Sequence, residues 1–212
     1  MSAGSNETAA DVWGRFVRTP SLGAHPAWIA GMFDGALPLE AAGRLAAHPR
    51  FASRVSSLMA ARHGFGDIDA PAEPADQAIA LSDSQTLGTI IRRAGAVCWA
   101  DPIAREIRAP EVAALKSALG EDAYQAALAH RMEAFSPAAL GVTQDEMRAL
   151  GHAALAAAAI GAGRACLAAW LEQQPRGVAD RVSLRFDPQD ALPEPQDAHR
   201  AYGPGVVRLV AG

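Results

Sequence analysis

The chain has 212 residues, enough to bury one sizeable core or a core with a smaller appendage. Half of the residues are apolar and a fifth are charged, the balance of a globular protein rather than of a disordered one. The net charge is −4, with acids and bases interleaved. This excludes the basic stripe of a nucleic-acid binder and the basic amphipathic helix of a membrane-surface protein, so neither partner is expected.

The opening run MSAGSNETAADVWG lacks the charged start and apolar stretch of a secretory signal, and residues 1–11 read as disordered. Apolar contacts begin at Trp13, Phe16 and Val17. Pro26 suits the first turn of a short helix carrying Trp28, Ile29, Met32 and Phe33, which Gly35 ends. Pro38 opens another, with Leu39, Ala42 and Leu45, which His48-Pro49 breaks. Phe51, Val55, Leu58 and Met59 trace a third, closed by Gly64. These helices form an N-terminal helical subdomain over residues 12–65. The Pro- and Asp-rich run GDIDAPAEPADQA, residues 66–78, reads as a linker to a main helical domain over 79–186.

Ser82 and Gln85 have capping-box spacing ahead of a helix that buries Leu87, Ile90, Ile91, Ala94, Val97 and Cys98 and leaves Arg92 and Arg93 outside. Asp101-Pro102 starts a short helix with Ile103 and Ile107 inward. Pro110 starts the next, with Val112, Leu115 and Leu119, ended by Gly120. Tyr124, Leu128 and Met132 mark another, terminated by Phe135 and Pro137. Thr143 and Glu146 make a second capping box before the longest helix, residues 144–173, rich in Ala and containing Gly151, Gly161 and Gly163. A glycine costs about 1 kcal/mol against alanine inside a helix, so this pattern calls for another backbone pressed close. Residues 149–171 are long enough to span a bilayer. His152 and Arg164 lie within them, and a central Arg alone costs about 2.5–3.5 kcal/mol on insertion, so the stretch reads as a buried helix without direct membrane insertion.

Pro175 stops that helix. Val178 and Val182 suit a helix, whereas Val182, Leu184 and Phe186 alternate like a strand; a final helix fraying near Phe186 is preferred, and residues 187–212 read as a loose C-terminal tail whose last run, VVRLVAG, is apolar enough to dock. Alternating strands with hairpin turns are not found, nor is a repeat of fixed period. The fold expected is all-α, an irregular multi-helix bundle around a small-residue-rich central helix.

The side chains that carry chemistry do not assemble in the sequence. The six histidines include no pair at the i, i+4 spacing of a zinc-binding helix, and no C-x-x-C occurs. His130 and Glu133 are the nearest to a ligand pair. Cys98 and Cys166 sit in apolar helical patterns and read as core thiols of a reducing compartment. Gly161-Ala162-Gly163 follows no strand and has no phosphate-binding lysine, and no G-x-S-x-G elbow is present. Catalytic, cofactor-binding and metal-binding residues are therefore expected to be none, and the chain is not expected to be an enzyme. A helix-turn-helix over 82–119 would offer DNA Arg105 and Arg108 among Asp101, Glu106 and Glu111, a poor reading surface. The competing reading is a helical small-molecule-binding protein or enzyme, which needs His130, Tyr124 and His152 to converge in an enclosed pocket.

The segment Ile79–His130, IALSDSQTLGTIIRRAGAVCWADPIAREIRAPEVAALKSALGEDAYQAALAH, resembles the central block of the SctK/YscK-type family of type III secretion proteins. Met147–Phe186, with CLAAWLEQQP and the closing RVSLRF, is similar to the family's C-terminal half, and Arg15–Leu39 gives a fainter echo. The resemblance implies a cytoplasmic, all-helical accessory protein of the injectisome sorting platform, without a cofactor. It would bridge the cytoplasmic domain of the inner-membrane ring protein to the pod, or C-ring-like, protein that carries the ATPase stator, and be peripheral to the inner membrane through its protein partner. The residues expected to contact partners are the outward charges Arg92, Arg93, Arg105 and Arg108.

Overall fold

The computed structural model describes residues 8–34, 36–65, 68–132, 139 and 141–212, and among these every regular element is helical. In chain order they are α1 (Ala9–Arg18), a 3-10 turn (Pro20–Leu22), α2 (Pro26–Gly31), α3 (Leu39–Ala47), α4 (Pro49–His63), α5 (Pro74–Leu81), α6 (Ser84–Cys98) and α7 (Ala100–Arg105). There follow α8 (Ala109–Leu119), α9 (Glu121–Ala129), α10 (Gln144–Ala149), α11 (His152–Glu172), α12 (Arg176–Ser183) and α13 (Asp197–Ala211). Prolines in the first turn start α2, α4, α5 and α8, where the missing N–H has no helical partner to lose. The fold class is the one the sequence predicts.

The chain divides into two units, Met1–Ser84 with Gln174–Ala191 and Gln85–Gln173 with Leu192–Gly212. It crosses between them at three points, none of them in the expected linker 66–78. The second half of that run is helix α5 instead, because Pro74 sets up a first turn and Ile79 and Ala80 bury completely.

In the first unit, Ile29, Val55, Met59 and Leu184 make a core over which Trp28 and Leu45 close. Trp28 Nε1 donates to the Phe186 carbonyl at 2.9 Å, and the His25 N–H donates to the Leu184 carbonyl at 2.7 Å, which fastens α2 to the end of α12. Two arginines are buried here. Arg181 donates to the Val17 carbonyl in the last turn of α1 at 3.1 Å and lies over the Phe65 ring. Arg185 donates to the Ser82 carbonyl at the end of α5 and lies over Phe16. Each cation thus meets the negative end of a helix, which offsets its desolvation. Burial draws the Arg185 guanidinium down to about 10, so it stays charged at neutral pH.

In the second unit α11 is the axis, and α8 and α13 pack along it. Helix α6 crosses it at two glycines. A Cβ on Gly95 would strike the Ala159 carbonyl, and one on Gly163 would strike the Ile91 carbonyl. The backbones touch where the run of small residues predicts a close neighbour. Cys98 and Cys166 meet at this crossing, Sγ to Sγ 3.5 Å, both buried and free. Their mutual contact and burial push the Cys98 thiol well above its ordinary value. Helix α11 is long and apolar enough to cross a membrane, and two thirds of its most apolar stretch is buried within the protein.

Five further expectations are corrected. Residues 8–11 are not disordered, since Thr8 and Asp11 form a capping box that starts α1; residues 1–7 lie outside the described residues, as do Gly35, Glu133, Phe135 and Pro137. Ser82 does not open α6; it closes α5, its hydroxyl donating to the Ala78 carbonyl at 3.0 Å. The expected helix over 144–173 is two helices, because Leu150 and Gly151 are extended and Gly151 serves as the N-cap of α11. The tail after residue 187 is not loose throughout, as α13 buries Val206, Val207 and Val210. Gly203 and Pro204 disguise that helix in the sequence. Both are buried, and a Cβ on Gly203 would meet the Cys166 backbone, so close approach to α11 decides the residue there. Ile107, expected inward, is 87% exposed.

Candidate docking site

The position of Ile107 follows from how α7 ends. The helix stops at Arg105, and Glu106 and Arg108 are both extended before Pro110 restarts the chain as α8. The helical spacing from Ile103 to Ile107 is therefore broken, and Ile103 is fully buried while Ile107 stands in water. The three-residue bridge is braced by its own charges. Glu106 accepts from the Arg108 backbone N–H at 3.0 Å and from Arg108 Nη2 at 2.7 Å, and Arg108 Nη1 reaches Glu111 at 3.4 Å. These donors hold the Glu106 carboxyl down to about 2, and Glu106 in turn raises Arg108. His152, at the start of α11, lies 3.7 Å from Glu106.

Between this junction and the α10–α11 break runs a groove of about 580 Å³. Pro102, Met147, Leu150 and Leu155 give it apolar surface, Arg105, Glu106, Arg108 and Glu111 give it charge, and His152 adds a polar ring. An apolar strip bordered by charges has the apolar centre and polar rim common in protein interfaces.

The four arginines expected at partner surfaces have separate settings. Arg105 and Arg108 line the groove. Arg92 is exposed on α6 and donates to Thr89 Oγ1 at 3.1 Å. Arg93 is engaged within the unit: it grips Asp122 of α9 through Nε at 2.6 Å and Nη2 at 2.9 Å, and donates from Nη1 to the Val210 carbonyl of α13 at 3.1 Å. That pair raises Arg93 and lowers Asp122. The sequence reading missed Met147, Leu150 and Leu155 as lining, because it ran α10 and α11 together and so hid the break that opens the groove. Of the three residues the competing small-molecule reading needs, His152 lines the groove; Tyr124 is buried beneath Lys116, whose Nζ is 5.1 Å from the ring centre, and His130 caps the end of α9. Among the described residues no three His, Cys, Asp or Glu side chains group as metal ligands.

Helices joined by short bridges, ion pairs that brace those bridges and a charged groove with apolar patches define an all-helical protein whose described residues form no metal cluster. The family model of YOP proteins translocation protein K (YscK) matches residues 21–202, and the chain belongs to this family of type III secretion proteins. The family is one of secretion-system accessory proteins rather than of known enzymes. Among curated proteins and among solved structures the chain has no match.

Proposed function

We propose that the chain is a cytoplasmic adaptor of the type III secretion sorting platform, peripheral to the inner membrane through a protein partner. It links the cytoplasmic domain of the inner-membrane ring protein to the pod protein and the stator. Nucleic acid and direct membrane insertion have no part in this reading. The observation that supports it most is the α7–α8 junction, where an ion-paired bridge lines a groove with Glu106 and Arg108 and leaves Ile107 87% exposed between them. A fixed extended bridge lowers the ordering cost of binding, and an isoleucine at its apex serves as an anchor. Copies arranged around a ring would add their separate contacts through multivalency.

The test is a photo-crosslinking residue placed at Ile107 in secreting cells, with Leu209 on α13 as the exposed control position. Adducts to the ring or pod protein from residue 107 and not from 209 support the proposal. No adduct to either protein from residue 107 contradicts it.

A further inference from the structure

Most guanidinium groups of this protein are engaged. Arg44 pairs with Glu40, Arg93 with Asp122, Arg108 with Glu106, Arg131 with Asp101 and Arg200 with Glu172. Helix α4 departs from that habit. Its sequence, PRFASRVSSLMAARH, has Arg50, Arg54 and Arg62 and no carboxylate at all. All three arginines are exposed, and no acid among the described residues pairs with them.

The same face carries apolar side chains. At 3.6 residues per turn, Arg50, Arg54, Leu58, Phe51 and Arg62 fall in that order within an arc of about 120°. The adjoining face, with Val55 and Met59, is spent in the core of the first unit. Phe51 is 49% and Leu58 44% exposed. They are seven residues apart, about 10.5 Å along the axis, which is two helical turns of a partner. The His48 ring, 5.1 Å from that of Phe51, braces it at the start of the helix.

We propose that this face of α4 docks an acidic amphipathic helix of a protein partner. Two apolar side chains of that helix, spaced seven residues apart, would cover Phe51 and Leu58. Its flanking carboxylates would pair with Arg50, Arg54 and Arg62, giving the three cations the acidic partners they lack among the described residues. Charge complementarity calls for an acidic occupant, and the apolar surface left free on α4 selects a helix over an anionic lipid surface. An interfacial helix sinks a whole apolar face into the bilayer, and the main apolar face of α4 is already used. The proposal shares no residue with the α7–α8 groove and stands whether or not the chain works as a sorting-platform adaptor.

The full chain can be titrated with a fluorescent helical peptide bearing leucines seven residues apart and flanking glutamates. The same peptide with lysines in place of the glutamates, and vesicles containing phosphatidylglycerol, are the comparison arms. The glutamate peptide should bind, lose affinity as salt is added, and lose at least tenfold to R50E/R54E/R62E and to F51S/L58S. A photo-crosslinker on one of its leucines should label α4 in the wild-type chain, a readout independent of how the variants fold. Equal affinity for wild type and both variants, labelling elsewhere, or binding of the vesicles but not the glutamate peptide would overturn the proposal.

Discussion

At the α6–α11 crossing the groups that face the neighbouring helix are small: Gly95 against Ala159, Gly163 against Ile91, and two thiols in contact. A few residues further along, at the α7–α8 junction, the chain does the reverse. It leaves helix for three residues, keeps a carboxylate and a guanidinium bonded to each other at the surface, and holds an isoleucine out in water. The contrast separates two uses of sequence. At the crossing, backbone-to-backbone approach leaves no room for side-chain chemistry, and each residue answers to volume. At the junction volume is unconstrained, and each residue answers to charge and to what meets it from outside.

The largest expected effect comes from forcing volume on the crossing. Gly163→Leu places side-chain atoms against the Ile91 carbonyl, a group that cannot move aside without parting the helices. The expected loss is beyond about 4 kcal/mol, the exceptional range for a single substitution, and the variant should lack a cooperative melting transition. Stable folding of Gly163→Leu would break the comparison.

Next is Arg93→Ala, which removes the two-pronged grip on Asp122 and the bond to α13. The site is partly exposed, so about 1 kcal/mol of stability should be lost in denaturant titrations. Asp122 is held below its ordinary value, so the pair's contribution is complete above the unfolded carboxyl pKa, about 3.9, and is lost as pH falls through the lowered folded value. The wild-type and variant stability curves should therefore converge toward strongly acidic pH.

Gly161→Ala sharpens the contrast from the other side. Gly161 lies two residues from Gly163, is exposed, and has open space where a Cβ would go. The substitution should raise stability by about 1 kcal/mol, the helix propensity difference alone.

The smallest effect sits at the junction. Glu106 should titrate near 2 by NMR, and Arg108→Ala should return it toward its ordinary 4.5, with little change in melting temperature. The depressed value means that this carboxylate stabilises the bridge above about 4.5 and ceases to as pH falls toward 2.

The sequence disclosed what depends on local chemistry. Proline in first turns, the Thr143–Glu146 capping box and the apolar face of α6 are each decided within a turn or two of helix. The small-residue run even announced a close neighbour, although not which helix it would be. What was hidden depends on partners remote in the chain. Helix α13 carries Gly203 because α11 lies against it, and Gly203 with the buried Pro204 imitates a loop. Ile107 looked buried because Ile103 four residues earlier is buried, and only the extended Glu106–Arg108 bridge turns it outward. At the candidate site, Arg105 and Arg108 were legible as outward charges. The apolar residues between them and α11 were not, since a groove is a property of two segments and the sequence shows one at a time.

The most direct test of the adaptor account is the affinity of the purified full chain, wild type and R105E/I107S, for the ring protein's cytoplasmic domain and for the pod protein. The account predicts that the wild type binds both and that the double substitution weakens one at least tenfold, leaving the other and the helical circular dichroism unchanged. Unaltered affinity for both partners, or failure of the wild type to bind either, would contradict it.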